Sequence, residues 1–198
     1  MPDHYFSASP ESAHRPGECQ TVYRGHPLTF ETDAGVFSRD GLDKGTALLL
    51  ASLPPLSGNV LDLGCGWGAL GISAARANPG IHVTLTDINS RAVELSIKNA
   101  RRNGVAARVL QSDGFEALYG EMFSSILTNP PIRAGKQVIY DLFKKSADHL
   151  LPGGSLYLVI RKQQGAPSAL SYLGTIYSTA QVIERGGGFF VIRADVSV

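Results

Sequence analysis

From Asn59 onward the chain alternates between two hydrophobic periods. Short, mostly apolar runs of strand length, NVLDLG, HVTLTD, ARVLQSD, FSSILTN and SLYLVI, are separated by longer stretches whose apolar residues recur every three to four positions. ALGISAARAN carries small residues on one face. RAVELSIKNARRNG sets Val93, Ile97 and Ala100 at helical spacing, with Asn89-Ser90 as a cap and Gly104 as a stop. KQVIYDLFKKSADHLL turns Ile139, Leu142, Phe143 and Leu150 inward until Pro152-Gly153-Gly154 breaks it. Strands alternating with helices predict an α/β fold with a mainly parallel sheet of seven strands and helices on both faces. AQVIER and GFFVIRA are separated only by glycines, which predicts an antiparallel pair and so an antiparallel last strand.

Ahead of Asn59 the pattern is less regular. Residues 1–25, rich in Pro, Ser, His and Gly, read as an arm without a core of its own, anchored at most by Tyr5 and Phe6. In residues 26–58, PLTFETDAGVFS alternates about Asp33-Ala34-Gly35 and predicts a hairpin. DKGTALLLASL then predicts a helix started by Asp43 and ended by Pro54-Pro55. Residues 59–198 hold the sheet. With no repeat and no linker, the 198 residues read as one domain.

Composition narrows the partners. A formal charge of +1, with 18% charged residues, leaves no global field to hold a polyanion, so nucleic acid would need local clusters. No apolar run reaches membrane-spanning length and no secretory leader follows Met1, so a cytoplasmic location is expected. Cys19, Cys65 and the five histidines show no ligand spacing. Neither a disulfide nor a metal is expected.

The candidate chemistry lies at strand ends, where open parallel sheets bind ligands. In LDLGCGWGALG, glycines 64, 66 and 68 let backbone approach a ligand, with amides of the helix start directed at it. Gly66, Gly68 and Gly71 also satisfy a dinucleotide pattern, with Asp87 placed to hold a ribose. Asp62 argues against that ligand, because a carboxylate beside the loop repels a pyrophosphate and attracts a sulfonium and an ammonium. Asp87 follows Asp62 by 25 residues and Asp113 follows Asp87 by 26, each at a strand end. Asp87 can accept two ribose hydroxyls, and Asp113 with Gly114 and Phe115 can hold an adenine. In TNPPI, the Asn129 oxygen and the Pro130 carbonyl can accept hydrogen bonds from an amine whose lone pair must be aimed at a methyl group. Pro130 and Pro131 fix the backbone there.

Taken together, DLGCGWG, DINSRAVE, SDGF and TNPPI resemble the class I S-adenosylmethionine-dependent methyltransferases. DAGVFSRDGLDKGTALLL is similar, more narrowly, to ribosomal RNA guanine-N2 methyltransferases of the RsmC type and their small single-domain relatives. The resemblance spans residues 4 to 194 and implies a Rossmann-like methyltransferase fold, S-adenosyl-L-methionine as cofactor and ribosomal RNA as partner. It implies that Phe37 and Ser38 border the cofactor and that Asp62, Gly64 and Gly66 carry its methionine end. Asp87 then holds the ribose, Asp113 the adenine edge, and Asn129, Pro130, Pro131 and Ile132 the acceptor amine. Cys65, Trp67, Gly68, Ile88 and Asn89, within the same motifs, complete the cofactor set, which Asn129 also borders. Ile132 stands where many relatives have an aromatic residue. Arg39, Arg133, Lys136 and Arg161 follow strand ends near the mouth and are candidates for phosphate contact. Alternative readings are a methyltransferase of protein glutamine or a small amine, a nicotinamide-dependent oxidoreductase, and a non-catalytic RNA-binding module.

Overall fold

The computed structural model describes residues 12–198. It begins with a hairpin of β1 (Gly17–Tyr23) and β2 (His26–Thr32), paired antiparallel from Gly17↔Thr32 to Tyr23↔His26. The turn is Arg24-Gly25, not Asp33-Ala34-Gly35. Both turn residues have positive φ (47° and 82°), as a two-residue hairpin turn with the twist of its strands requires. The arm expected over residues 1–25 therefore contains a strand. Cys19, Tyr23, Leu28 and Phe30 are buried, while the tip residue Val22 is exposed. The expected anchors Tyr5 and Phe6 lie outside the described residues.

Asp33 and Ala34 instead begin a tethered crossing. The buried Asp33 carboxylate accepts from Arg15 N and Ala34 N and pairs with His14, and the Arg91 side chain donates to Ala34 O. Helix α1 (Lys44–Ser52) follows, with Asp43 as N-cap accepting from Thr46 N. It ends at Leu53, because the residue before Pro54 is pushed out of the helical region.

The remaining strands are β3 (Asn59–Leu63), β4 (His82–Asp87), β5 (Ala107–Gln111), β6 (Phe123–Thr128), β7 (Leu150–Arg161), β8 (Thr179–Gly186) and β9 (Phe189–Asp195). They form one sheet in the order β5-β4-β3-β6-β7-β9-β8. β9 runs antiparallel to both neighbours and the others run in one direction, as expected for the last strand. Successive residues face opposite layers. Val60, Leu85, Leu127 and Val159 pack with the hairpin and with α1, α2 (Ala69–Ala77) and α3 (Ser90–Arg102). Leu61, Ile126, Leu156 and Leu158 pack with α4 (Lys136–Asp148) and α5 (Ala166–Leu173). None of the described helices is long and apolar enough to cross a membrane.

Two local expectations change. Leu150 belongs to β7, which runs through Pro152-Gly153-Gly154. On α3 the inward face is Ala92, Leu95, Ser96 and Asn99 rather than Val93 and Ile97, which are half-buried.

That polar face is explained by hydrogen bonding. Asn99 Oδ1 accepts from Glu31 N (2.7 Å), and its Nδ2 donates to Glu31 O and to Trp67 O (2.9 and 2.8 Å). Asn103, one turn later, pairs in the same way with Thr29 N and O. Two helical carboxamides thus satisfy the outer edge of β2 as a neighbouring strand would. Asn99→Ala leaves buried backbone groups unpaired and is expected to destabilise the fold by about 2–4 kcal/mol, measured as a shift in denaturation midpoint.

Candidate active site

The sheet order reverses between β3 and β6, since the chain proceeds outward from β3 through β4 to β5 and returns to β6 on the other side. A crevice forms there beyond the carboxyl ends of the strands. It opens into a cleft of about 860 Å³, within the range of small-molecule sites. Asp62 and Leu127 are register partners, and Thr128 Oγ1 donates to Leu63 O (2.8 Å), so the glycine loop after β3 and the Asn-Pro-Pro segment after β6 face one another.

On the β3 side, Asp62 is buried and accepts from Gly71 N at 2.7 Å. Gly71 permits this approach, because a Cβ there would lie 2.9 Å from Asp62 Cβ. Burial pushes the Asp62 carboxyl up to about 7; the Gly71 amide opposes the shift and the nearby Asp87 adds to it. Burial likewise raises Asp87, against the amides of Asn89, Gly66 and Ile88. Burial, and then Asp87 and Asp62, raise the Cys65 thiol well above its ordinary value, and its sulfur lies 3.4 Å from Ser96 Oγ.

Of the helix-start amides expected to point at a ligand, Gly71 N is taken by Asp62, and the amides of the loop before them are turned inward. Gly64 N and Cys65 N both donate to Thr86 O (2.9 Å each), Gly66 N donates to Asp87 Oδ2 (2.8 Å) and Gly68 N to Cys65 O (2.9 Å). Four donors that could cradle a phosphate are consumed inside the protein, beside two carboxylates. Such a surface suits a cationic ligand and repels a pyrophosphate. Gly68, also expected at the cofactor, does not line the cleft. It supplies the left-handed turn (φ 89°) into α2, where a Cβ would meet Ile72 Cδ1 at 2.6 Å.

Phe37, Ser38, Gly64, Cys65, Gly66, Trp67, Asp87, Ile88, Asp113 and Gly114 line the cleft with Asp62. Trp67 Nε1 donates to Phe37 O (3.0 Å), and the Trp67 ring packs on Phe30, which fastens the hairpin and the 33–41 crossing to the loop. Asn89 and Phe115 lie outside the lining. Asn89 is fully buried, caps α3 and donates to Gly35 O (2.8 Å). Phe115 stacks on His149 with ring centroids 4.5 Å apart, so its face is already covered. The sequence reading missed Thr86, whose buried hydroxyl has no hydrogen-bond partner among the described residues, and also Val138 and Leu142 of α4. Leu142 approaches Gly114 so closely that a Cβ there would lie 3.0 Å from its Cδ2, which closes that end into a slot.

On the β6 side, Asn129, Pro130, Pro131 and Ile132 all line the cleft. Asn129 Nδ2 donates to Asp43 Oδ2 (3.1 Å) and to Thr46 Oγ1 (3.0 Å), both at the start of α1. A carboxylate only accepts, so this pair fixes which way the carboxamide is turned. The NH2 group is held by α1 and the oxygen is left to accept. Ile132 is half-buried and packs on the second core cluster, so it does not stand free as a flat surface. Phe189 of β9, unanticipated, also lines the cleft, and the Arg161 guanidinium lies 4.7 Å over its ring.

Of the four expected phosphate contacts, Arg133 and Arg161 are exposed at the cleft and make no ion pair among the described residues. Arg39 and Lys136 lie away from the lining. The Arg39 Nε donates to Arg15 O and its Nη1 pairs with Asp40, while Lys136 lies over the Tyr140 ring. Among the described residues, no three His, Cys, Asp or Glu side chains form a metal-binding group.

Comparison with known proteins gives consistent similarities. The family described as Methyltransferase small domain matches residues 27–193. The chain is 41% identical over 198 residues to "Uncharacterized protein YbxB" of Bacillus subtilis, covering 98% of each. It is 40% identical over 172 residues to Ribosomal RNA small subunit methyltransferase C of Escherichia coli K12, covering 84% of this chain and 49% of that one. The chain thus spans about half the length of those methyltransferases. Among solved structures, the Thermus thermophilus 16S rRNA N2 G1207 methyltransferase in complex with AdoMet and guanosine superposes with a TM-score of 0.82 at 29% identity. That match covers 93% of this chain and 51% of that one.

Proposed function

Because the chain belongs to the methyltransferase small-domain family, we propose that it methylates an exocyclic amino group, specifically the guanine N2 amine of a ribosomal RNA nucleotide. S-adenosylmethionine is the cofactor and supplies a methyl group made electrophilic by its positive sulfur. The observation that carries the acceptor reading is the orientation of Asn129, whose oxygen is freed by the bonds of its NH2 group to Asp43 and Thr46.

Each wall of the cleft has a part in this reading. Asp62 meets the cofactor's ammonium, Asp87 its ribose hydroxyls, and the slot between Ile88, Gly114 and Leu142 its adenine. Asn129 Oδ1 and the Pro130 carbonyl accept from the acceptor NH2 and turn its lone pair toward the methyl group. The two prolines hold this arrangement without reorganisation during the reaction. The Asp-rich loop, with its amides turned inward, disfavours the nicotinamide alternative.

Packed Ile132 leaves the flat contact for a base to the Arg161 guanidinium, held over Phe189. Arg161→Ala is expected to raise the KM for RNA on the order of 10-fold, and Arg161→Lys to recover less than half of that loss in free energy, since lysine restores charge but not a plane. Full recovery with lysine would assign the residue to phosphate contact alone. Arg133→Ala is expected to weaken RNA binding uniformly across sequences and to lower the slope of log affinity against log salt by about 1, measured by titration at several ionic strengths.

The reading as a whole is tested by incubating the protein with tritiated S-adenosylmethionine and small-subunit ribosomal RNA, free or assembled, then separating the nucleosides. Label in N2-methylguanosine is the expected result. Label in another nucleoside, or in none, would contradict the assignment.

A further inference from the structure

We propose that Asp43 is the anionic counter-group of the transfer: it positions Asn129 and compensates the positive charge that the acceptor nitrogen acquires. The inference rests on the amine-methylation reading above but gives a second role to a residue so far assigned only the start of α1.

Asp43 has an evident structural task as the N-cap of α1, accepting from Thr46 N at 3.0 Å. A cap does not require a carboxylate, since serine, threonine and asparagine cap about as well. Two facts give the charge a second purpose. Asp43 lines the cleft, and its Oδ2 lies 3.1 Å from Asn129 Nδ2. The carboxylate is therefore one hydrogen bond behind the carboxamide that receives the acceptor amine. Lys44, the adjacent cation, is exposed and forms no ion pair among the described residues, so no cation is paired with this carboxylate.

In the reaction, the nitrogen lone pair forms the new N–C bond as the S–C bond breaks, and that bond's electron pair passes to sulfur. Sulfur becomes neutral and nitrogen becomes cationic, after which the nitrogen releases one proton to water at the cleft mouth. Charge thus moves from sulfur to nitrogen, toward the carboxamide and the carboxylate behind it. A fixed anion at that end favours the transition state over the ground state, and a low-dielectric cleft strengthens the effect. The same anion polarises the Asn129 amide, which makes Oδ1 a better acceptor.

The test is Asp43→Asn in the full chain. This substitution keeps the size and the cap, and an oxygen turned toward Asn129 Nδ2 and Thr46 N, but removes the charge. Single-turnover transfer from S-adenosylmethionine to small-subunit RNA is expected to slow on the order of 10²-fold, with the denaturation midpoint and S-adenosylhomocysteine affinity within about twofold of the parent. A second readout needs no acceptor. Sinefungin carries an ammonium where the methyl group lies, and S-adenosylhomocysteine is neutral there. The ratio of their affinities is expected to shift about tenfold against sinefungin in Asp43→Asn. An unchanged turnover rate would overturn the proposal. If the parent protein methylates no RNA, the acceptor assignment fails and the affinity ratio alone decides, an unchanged ratio rejecting the role of Asp43.

Discussion

Asn129→Ala is expected to slow methyl transfer on the order of 10²-fold or more in single turnover while leaving S-adenosylmethionine affinity within about twofold. The asymmetry follows from the position of the side chain. Asn129 follows β6, opposite the loop proposed to carry the cofactor's charged end, and its NH2 group is bonded to Asp43 and Thr46. Alanine removes the oxygen proposed to aim the acceptor lone pair, an interaction worth most as nitrogen becomes tetrahedral, and leaves Asp62 and Asp87 in place. Asn129→Asp is expected to be equally slow. It retains an oxygen but offers no donor to Asp43 and sets two carboxylates against each other. A variant that loses cofactor affinity in step with rate would identify Asn129 as a cofactor contact instead.

The second large effect is on pH. S-adenosylmethionine affinity is expected to fall about tenfold per pH unit below 7 and to level above it, with Asp62→Asn binding weakly and without this dependence. Burial has raised the Asp62 carboxyl to about 7, so below that pH the free protein holds it neutral, while an ammonium requires the carboxylate. Binding at lower pH must first release a proton. For the free protein the sign is opposite. The folded-state value lies above the unfolded one of 3.8, so this group's contribution to stability is fully present below the unfolded value and is lost as pH rises toward 7. Calorimetric titration between pH 5.5 and 7.5 in two buffers of different ionisation enthalpy would report both the affinity and the proton released. Affinity independent of pH in the parent would show that Asp62 does not meet the cationic end.

The seven-stranded sheet and the strand-end acids could be read from the chain because both depend on local pattern: apolar runs of strand length, glycines after Asp62, an acid closing β4. What escaped reading depended on partners distant in sequence. The hairpin was displaced because its turn is Arg24-Gly25, a weak signal beside Asp33-Ala34-Gly35, and because Val22 faces solvent where alternation alone leaves its side unassigned. Asn99 and Asn103 read as the polar side of α3, since nothing nearby shows that β2 needs an edge partner. Asp43 was legible as a cap, but its bond to Asn129 joins positions 86 residues apart. The inward turn of the loop's amides was hidden for the same reason: glycine spacing announces a tight turn but not which carbonyl the turn closes upon. Their acceptors, Thr86 O and Asp87, lie on the next strand.

The central claim, a methyl group delivered to a guanine amine held by Asn129, is tested most directly by mapping modified nucleotides in ribosomal RNA. The cells compared would lack the protein, carry it, or carry Asn129→Ala. The account predicts one N2-methylguanosine present only with the unaltered protein. Identical modification in all three, or a methyl mark that survives with Asn129→Ala, would contradict it.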